Sequence, residues 1–168
     1  QSSSNLNNVI AYSSNNNIYL GDPDGQSKIK ITDYDGGNGY SAWSPDGKRI
    51  AFYSKYDERK TWSIHTMNAD GTNRKRLTDL HHAWDNSPAW SPDGTKIAFA
   101  RAYRDAEDVQ QHEIWMMNAD GTNMHQIEGL EGGGPYFTPT GQIIFHSQPG
   151  PSDIFIANSD GSNLKQLT

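Results

Sequence analysis

Short apolar runs recur along the chain, separated by polar and turn-forming residues. Four of these runs place a large residue on either side of a middle position: Ile10-Ala11-Tyr12, Ile50-Ala51-Phe52, Ile97-Ala98-Phe99 and Ile143-Ile144-Phe145. Because side chains two positions apart point to the same face of a strand, each run is typical of a β-strand with two large residues on one face. A Pro-Asp-Gly sequence or its remnant precedes the later runs, which is a hairpin signal. The pattern predicts two strands, a and b, in each of four units.

Each unit continues with a second pair of predicted strands. Strand c shows period-two alternation and ends at an Asp-Gly turn, with copies at 18–20, 64–67, 114–117 and 154–156. Strand d is polar and charged, as expected of a sheet edge, with copies at 28–32, 74–78, 124–128 and 164–168. Only residues 101–111 have a helical composition, and their position between strands b and c predicts a long loop there.

A longer signature repeats across these units. Trp-Ser-Pro-Asp-Gly begins at Trp43 and Trp90 and returns in degraded form at Phe137, 47 residues apart each time. A repeat of this length indicates a propeller, a solenoid or an array. Solenoids of this period are helical, whereas four antiparallel strands per unit make the blade of a β-propeller. We therefore predict an all-β fold, a β-propeller of four four-stranded antiparallel blades in a single domain of residues 1–168, with repeats at about 1–35, 36–80, 81–130 and 131–168.

The pattern leaves open how the ring closes. A blade buries its apolar faces only against its neighbours, so an end blade without a neighbour leaves one apolar face exposed to solvent. Four units can close as a four-bladed ring, form half of an eight-bladed ring shared by two chains, or belong to a longer parent propeller. A monomer and a homodimer are both compatible with the sequence.

Charge and composition argue against several functional classes. The net charge of −6 and the pI of about 5.4 disfavour a sequence-independent grip on nucleic acid, because that grip is built from Lys and Arg. The chain has no cysteine, which excludes disulfides and thiolate chemistry, and no apolar run long enough to cross a membrane. It begins at Gln1 without an initiator Met, which fits either a mature exported chain or an arbitrary boundary.

Familiar catalytic motifs are missing from the sequence. There is no Gly-x-Ser-x-Gly elbow, no His-Glu-x-x-His pair and no Gly-Lys-Ser/Thr phosphate loop. Residues 33–39 start like a calcium loop, but the twelfth position is Ser44 where a bidentate Glu is required. His65 takes the strand c position that Trp115 has in the next unit, so we interpret it as a packed aromatic. We predict no catalytic residue, no cofactor and no metal site.

Recognition is expected on one face of the propeller. The loops that join strand d to the next strand a, and strand b to strand c, cluster there on a rigid scaffold. In this chain these loops combine aromatic and charged residues, which suit a protein partner or a carbohydrate ring. The predicted partner-binding residues are Asp35, Asn38, Tyr56, His82, Trp84, Asp85, Tyr103 and Arg104. Trp43 and Trp90, by contrast, are predicted core residues.

Taken together, the motifs resemble a known family. Trp-Ser-Pro-Asp-Gly at 43–47, Ile-Ala-Phe at 50–52 and Met-Asn-Ala-Asp-Gly-Thr-Asn at 67–73 are similar to the PD40, or WD40-like, repeat of the TolB propeller. The two central units match closely. The fourth unit has lost Trp, Ser and Asp from the signature, and the first has Ser3 in place of Trp. The resemblance covers nearly the whole chain and is specific to the fold.

The resemblance implies a non-enzymatic propeller scaffold that binds a protein partner through its loop face, in the bacterial periplasm or outside the cell. Similar repeats also occur in propellers attached to prolyl-oligopeptidase-like peptidases and in oligogalacturonate lyases. The alternative is therefore a glycan-binding module or a metal-dependent, polysaccharide lyase-like enzyme that uses the channel-mouth loops. In that case His82 or His112 is the expected metal-holding residue.

Overall fold

The structure, a computed structural model, describes residues 9–32, 37–55, 61–148 and 153–168. Within these ranges the chain forms β-strands and no helix. The strands are β1 (Ile10–Ser14), β2 (Asn17–Gly21), β3 (Lys28–Lys30), β4 (Asn38–Trp43), β5 (Arg49–Ser54), β6 (Ser63–Asn68), β7 (Lys75–Arg76), β8 (Ala83–Trp90), β9 (Lys96–Arg104), β10 (Gln110–Asn118), β11 (His125–Glu131), β12 (Gly133–Phe137), β13 (Ile143–His146), β14 (Ile154–Ala157) and β15 (Lys165–Gln166).

The strands form four antiparallel sheets that follow one another along the chain. Sheet 1 contains β1 to β3, sheet 2 contains β4 to β7, sheet 3 contains β8 to β11, and sheet 4 contains β12 to β15. Neighbouring strands in each sheet are also neighbours in sequence. This arrangement confirms the predicted propeller blades. Strand a of unit 1, which is expected before the Ile10-Ala11-Tyr12 run, falls among residues 1–8 outside the described residues, so sheet 1 is described with three strands.

The Pro-Asp-Gly pattern encodes the hairpin turns. Between β4 and β5, Ser44 Oγ donates to Asp46 Oδ1 at 2.6 Å, and the same oxygen accepts the Lys48 N–H at 3.1 Å. Gly47 has φ 68°, a left-handed conformation that costs a residue with a Cβ more than it costs glycine. The same bonds recur in sheet 3 around Asp93. These contacts are local, so the recurrence of the motif is explained by turn formation.

Alternate residues of each sheet pack against opposite neighbours. In sheet 3, Ile97 and Phe99 belong to a hydrophobic cluster shared with sheet 2, whereas Ala98 and Ala100 belong to a cluster shared with sheet 4. A third cluster joins sheets 1 and 2. Within the described residues, no such cluster joins sheet 4 to sheet 1. The contacts that would close a four-bladed ring are therefore not among those described.

The residues predicted to be packed are buried or partly buried. His65 is 3% exposed and stacks on Phe52, with ring centroids 5.7 Å apart. Trp90 is 8% exposed, and its indole N–H donates to the Ala42 carbonyl of sheet 2 at 3.2 Å. Trp43 is half-buried and packs against the cluster between sheets 1 and 2. Aromatic side chains thus supply contact area between the sheets.

The long loop predicted at residues 101–111 is wrong. β9 continues to Arg104 and β10 begins at Gln110, so only residues 105–109 form the turn between them. β9 carries Arg101 into the interior, where Asp85 pairs with it. The charged residues of this segment hid its strand character, because a charged residue enters a strand interior only when it is paired, and the partner of Arg101 is distant in sequence.

Candidate functional site

The first strands of sheets 2, 3 and 4, which are β4, β8 and β12, each contain a β-bulge at an equivalent position. At these bulges Tyr40, Ser87 and Gly134 have φ angles of 47°, 50° and 59°. A left-handed backbone is unfavourable for Tyr and Ser, and bulges of this kind re-aim side chains near functional sites. All three residues line one cavity at the loop face, the mouth pocket.

The mouth pocket lies where the loop ends of sheets 2, 3 and 4 meet. Its volume of about 450 Å³ falls in the range of ligand sites, roughly 300–1,000 Å³. Besides the bulged residues it is lined by Trp84, Asn86, Ala102, Arg104, Gln110 and His112 of sheet 3 and by Gly133 and His146 of sheet 4. Trp62, just before β6, and Gln148, just after β13, complete the lining.

Sheet 3 supplies a floor and two walls of this pocket. In the strand register, Ala102 of β9 lies between Trp84 of β8 and His112 of β10. Further along the same face, Arg104 lies opposite Gln110. Adjacent strands are about 4.8 Å apart, so the Trp84 and His112 walls stand roughly 10 Å apart across the small Ala102 side chain. The small Ala102 side chain between two larger side chains on the neighbouring strands forms a slot.

Glycines of sheet 4 make room for the opposite wall. A Cβ on Gly133 would lie 3.1 Å from His146 Nε2, and a Cβ on Gly132 would lie only 2.0 Å from the His146 carbonyl oxygen. The φ of Gly132 is 155°, which also favours glycine. The Gln148 amide donates to His146 Nε2 at 2.9 Å and orients the ring. The three consecutive glycines at 132–134 are therefore a sequence signal of this wall.

Sheet 2 contributes a stack of aromatic rings. Tyr53 lies between Tyr40 and Trp62, with centroid distances of 5.8 Å and 4.9 Å. Lys55 Nζ lies 5.2 Å from the Trp62 ring centroid. Burial, followed by the neighbouring Tyr40, raises the pKa of Tyr53, so its hydroxyl stays protonated. This stack presents flat apolar surface beside the polar groups of sheet 3.

The described lining of the mouth pocket carries little formal charge. Burial, followed by the nearby His146, lowers the pKa of His112, so its imidazole is neutral at neutral pH. Among the described lining residues, Arg104 alone carries a formal charge, and it is paired with Asp108 at 3.4 Å. No carboxylate lines the pocket in the described part of the chain. A charged ligand would find little compensation for its lost hydration here.

A second cavity, the interblade groove, opens at the same end on the other face of sheet 3. Its volume is about 350 Å³, and it is lined by Leu80, His81, His82, Ala83, Arg101, Tyr103, Arg104, Glu113, Trp115 and Gln126. Leu80 is 45% exposed, and His82 has a left-handed φ of 71°. The groove thus combines an exposed Leu with the aromatic rings of Tyr103 and Trp115.

Glu113 fixes two aromatic side chains in the interblade groove. The Tyr103 hydroxyl donates to one carboxylate oxygen of Glu113 at 2.7 Å, and Trp115 Nε1 donates to the other at 2.7 Å. The hydrogen bond to Glu113, followed by burial, raises the pKa of Tyr103, so the hydroxyl remains a donor. The orientations of both rings are therefore fixed by hydrogen bonds within the protein.

A buried ion pair supports the groove from below. Arg101 donates to both carboxylate oxygens of Asp85, at 2.7 Å and 2.9 Å, and the two side chains are 3% and 2% exposed. The guanidinium lies 4.2 Å from the Trp115 ring centroid. The Asp85 N–H donates to the Trp62 carbonyl at 3.1 Å, which ties sheet 3 to sheet 2 at this level.

Four of the predicted partner-binding residues lie at the two cavities. Trp84 lines the mouth pocket, His82 and Tyr103 line the interblade groove, and Arg104 lines both. Because alternate residues of a strand face opposite sides, neighbouring sequence positions are divided between the two faces of sheet 3.

The other predicted residues lie elsewhere. Asp85 and Asn38 are 1% and 3% exposed; Asp85 pairs with Arg101, and Asn38 Nδ2 donates to the Asn16 carbonyl at 3.0 Å. Asp35 and Tyr56 lie outside the described residues. Conversely, the sequence pattern did not predict that Asn86, Gln110, His112 and His146 line one pocket, because they come from three different strands, β8, β10 and β13.

Metal binding and membrane insertion have no structural counterpart in the described ranges. There, no group of three or more His, Asp or Glu side chains is placed to hold a metal ion. The same residues form no helix that is long and apolar enough to cross a membrane.

The fold is similar to propellers of several solved proteins. TolB from Acinetobacter baumannii has 22% identity and a TM-score of 0.80, and the match covers 98% of this chain and 42% of that one. A chain of the nidogen/laminin complex has 14% identity and a TM-score of 0.76, with coverages of 95% and 61%. Oligogalacturonate lyase from Vibrio parahaemolyticus has 13% identity and a TM-score of 0.66, with coverages of 98% and 55%.

The solved structures share the fold of this chain, and the family model shows its family. The chain spans less than two thirds of each of the three similar chains, and identities this low show a shared fold alone. No significant match was found among curated proteins. The PD40 family model, described as the TolB beta propeller domain, matches residues 2–168. Nearly the whole chain is covered by this match, so the protein belongs to the PD40 family of TolB β-propeller domains.

Proposed function

We propose that this chain is a non-enzymatic propeller scaffold that binds a protein partner through the interblade groove. The observation that carries the proposal is the half-exposed Leu80 beside two aromatic rings, Tyr103 and Trp115, which Glu113 already holds in place. Interfaces concentrate their binding energy in such fixed aromatic and Arg anchors. A propeller of similar fold occurs in the nidogen/laminin complex, which is an assembly of proteins.

The location that we propose is the bacterial periplasm or the cell exterior. Membership of the TolB propeller family supports this, because the similar TolB structure comes from a bacterium. The lack of cysteine is compatible with an oxidising compartment, since the fold needs no free thiol.

A matched pair of variants tests the protein-binding proposal. Leu80 and Leu164 are 45% and 46% exposed, but Leu80 lies in the groove whereas Leu164 follows the Asp-Gly turn at the opposite end of sheet 4. We expect Leu80→Asp to abolish capture of a partner from an extract of the source organism, because it places a charge among apolar anchors.

The control variant is Leu164→Asp, which is expected to retain the same partner as the unmodified chain. Bound proteins are identified by mass spectrometry after immobilising the three forms in parallel. A protein retained equally by all three forms, or lost equally from both variants, would contradict binding through the groove. Circular dichroism of each variant confirms that the sheets remain folded.

A further inference from the structure

The mouth pocket contains hydrogen-bonding groups that the protein itself does not use. Within the described residues, the Gln110 side-chain amide, the His112 imidazole and the Trp84 indole N–H make no hydrogen bond to the protein. Asn86 uses its oxygen to accept from Ser87 at 2.8 Å, which leaves its amide donors unused. Four polar groups with spare capacity thus face one cavity of about 450 Å³.

These groups are held by strands rather than by loops. Trp84 and Asn86 belong to β8, Gln110 and His112 belong to β10, and β9 lies between the two strands. Their backbone positions, and so the spacing of the four groups across sheet 3, are therefore set by the strand register. The left-handed Ser87, adjacent to Asn86, is a further sign that the backbone is shaped around this cavity.

The charges at the pocket indicate the class of ligand. No carboxylate lines the pocket in the described ranges, so a cation would find no counter-charge there. The cationic side chain among the described lining residues, Arg104, donates to the Asp108 carbonyl at 2.8 Å and forms an exposed ion pair with the Asp108 carboxylate. The low pKa of His112 leaves that ring neutral. The described lining thus consists mainly of neutral polar groups and rings, which suits an uncharged polar ligand better than an ion.

The groups that remain match hydroxyl groups. A side-chain amide and a neutral imidazole each offer a donor and an acceptor, and a hydroxyl group likewise donates and accepts. Beside them, Trp84, Tyr40 and Trp62 supply flat apolar rings. A pyranose ring has this same combination, with hydroxyl groups around its edge and apolar C–H groups on its faces.

We propose that the mouth pocket binds an uncharged saccharide, with a sugar ring against Trp84 and its hydroxyl groups bonded to Asn86, Gln110 and His112. The saccharide site lies on the opposite face of sheet 3 from the interblade groove, and among the described lining residues the two cavities share Arg104 alone. Leu80 lines only the groove and Gln110 lines only the mouth pocket, so variants at these two positions test the two sites separately.

Titration with defined sugars tests this site. The probes are maltose, cellobiose, lactose and chitobiose, with digalacturonate as the charged counterpart and an Asp-containing pentapeptide as the peptide counterpart. Binding is followed by tryptophan fluorescence and by the NMR signal of the His112 ring. We expect at least one neutral disaccharide to saturate below about 10 mM, with digalacturonate and the peptide binding at least about tenfold more weakly.

Variants place the binding at the pocket. Gln110→Ala and Asn86→Ala should each weaken the neutral sugar by about tenfold, since each removes one hydrogen-bonding group. Gln110 is exposed, so its truncation leaves folding intact even if Trp84→Ala does not. Gln26→Ala, at an exposed turn of sheet 1, is the matched amide control and should bind as the unmodified chain does.

Three outcomes would overturn the saccharide site. The first is saturation by none of the neutral sugars. The second is preference for digalacturonate or for the peptide, which would show that charge is recognised. The third is neutral-sugar binding that Gln110→Ala and Asn86→Ala leave unchanged. Leu80→Asp should not alter sugar affinity, so loss of the protein partner and loss of the sugar are separable results.

Discussion

Breaking the buried pair between Asp85 and Arg101 should destabilise the protein more than any comparable surface change. Both side chains are nearly inaccessible, and two hydrogen bonds of 2.7 Å and 2.9 Å join them. With charge centres about 4 Å apart and an effective dielectric constant near 20, their attraction is about 4 kcal/mol. Asp85→Asn preserves volume but leaves the Arg101 guanidinium buried without its counter-charge. We expect the free energy of unfolding to fall by about 3–5 kcal/mol.

Urea denaturation followed by tryptophan fluorescence measures this loss. Asp108→Asn is the matched control, because its ion pair with Arg104 is exposed and should be worth at most about 1 kcal/mol. The double variant Asp85→Leu, Arg101→Met should recover most of the stability, since it removes both charges together. If Asp85→Asn cost no more than Asp108→Asn, the conclusion that this pair is desolvated and structurally important would be refuted.

Three further predictions concern other parts of the fold. Hydrogen bonds from Ser91 and then from Thr95 lower the pKa of Asp93 to about 2. The stability that this carboxylate adds is therefore present above pH ~4 and is lost as the pH falls toward about 2. Urea titrations at stepped pH should show this pH-dependent loss in the unmodified chain and not in Asp93→Asn. Gly132→Ala should reduce the free energy of unfolding by about 2–3 kcal/mol or more, because the new Cβ would lie 2.0 Å from the His146 carbonyl oxygen. Gly141→Ala is the control, because the space around Gly141 is open, and it should cost only about 1 kcal/mol. Equal losses of stability in the two variants would contradict the close approach at Gly132. Ser87→Gly should leave the free energy of unfolding unchanged or raise it by up to about 1 kcal/mol, because glycine adopts the left-handed backbone of Ser87 without strain. A clear loss of stability would show that the contacts of the serine side chain outweigh this backbone strain.

Sequence alone predicted the sheets because their signals are local. The turn at Ser44, Asp46 and Gly47 is complete within the hairpin that it forms, so its repetition along the chain marks each unit. The alternation in Ile97-Ala98-Phe99 likewise predicts which side chains share a face of the strand, although it does not predict which neighbouring sheet they pack against.

The sites could be predicted only in part, because they depend on contacts between distant strands. Trp84 and Asp85 were both assigned to a loop surface, yet β8 begins at Ala83, so the strand turns one side chain toward the mouth pocket and buries the other. His112 and His146 approach each other only because sheets 3 and 4 pack together and three glycines clear the space. The run 132–134 was the available signal, and only the packing explains it.

Site-specific photo-crosslinking tests most directly the claim that the interblade groove holds a protein partner. A photo-reactive phenylalanine analogue would replace Leu80 in one form of the chain and Leu164 in another, which are matched in exposure. Irradiation in the source cells should give a discrete crosslinked protein from position 80 and none from position 164. Crosslinks from position 164 alone, or the same product from both positions, would contradict the assignment of partner binding to this groove.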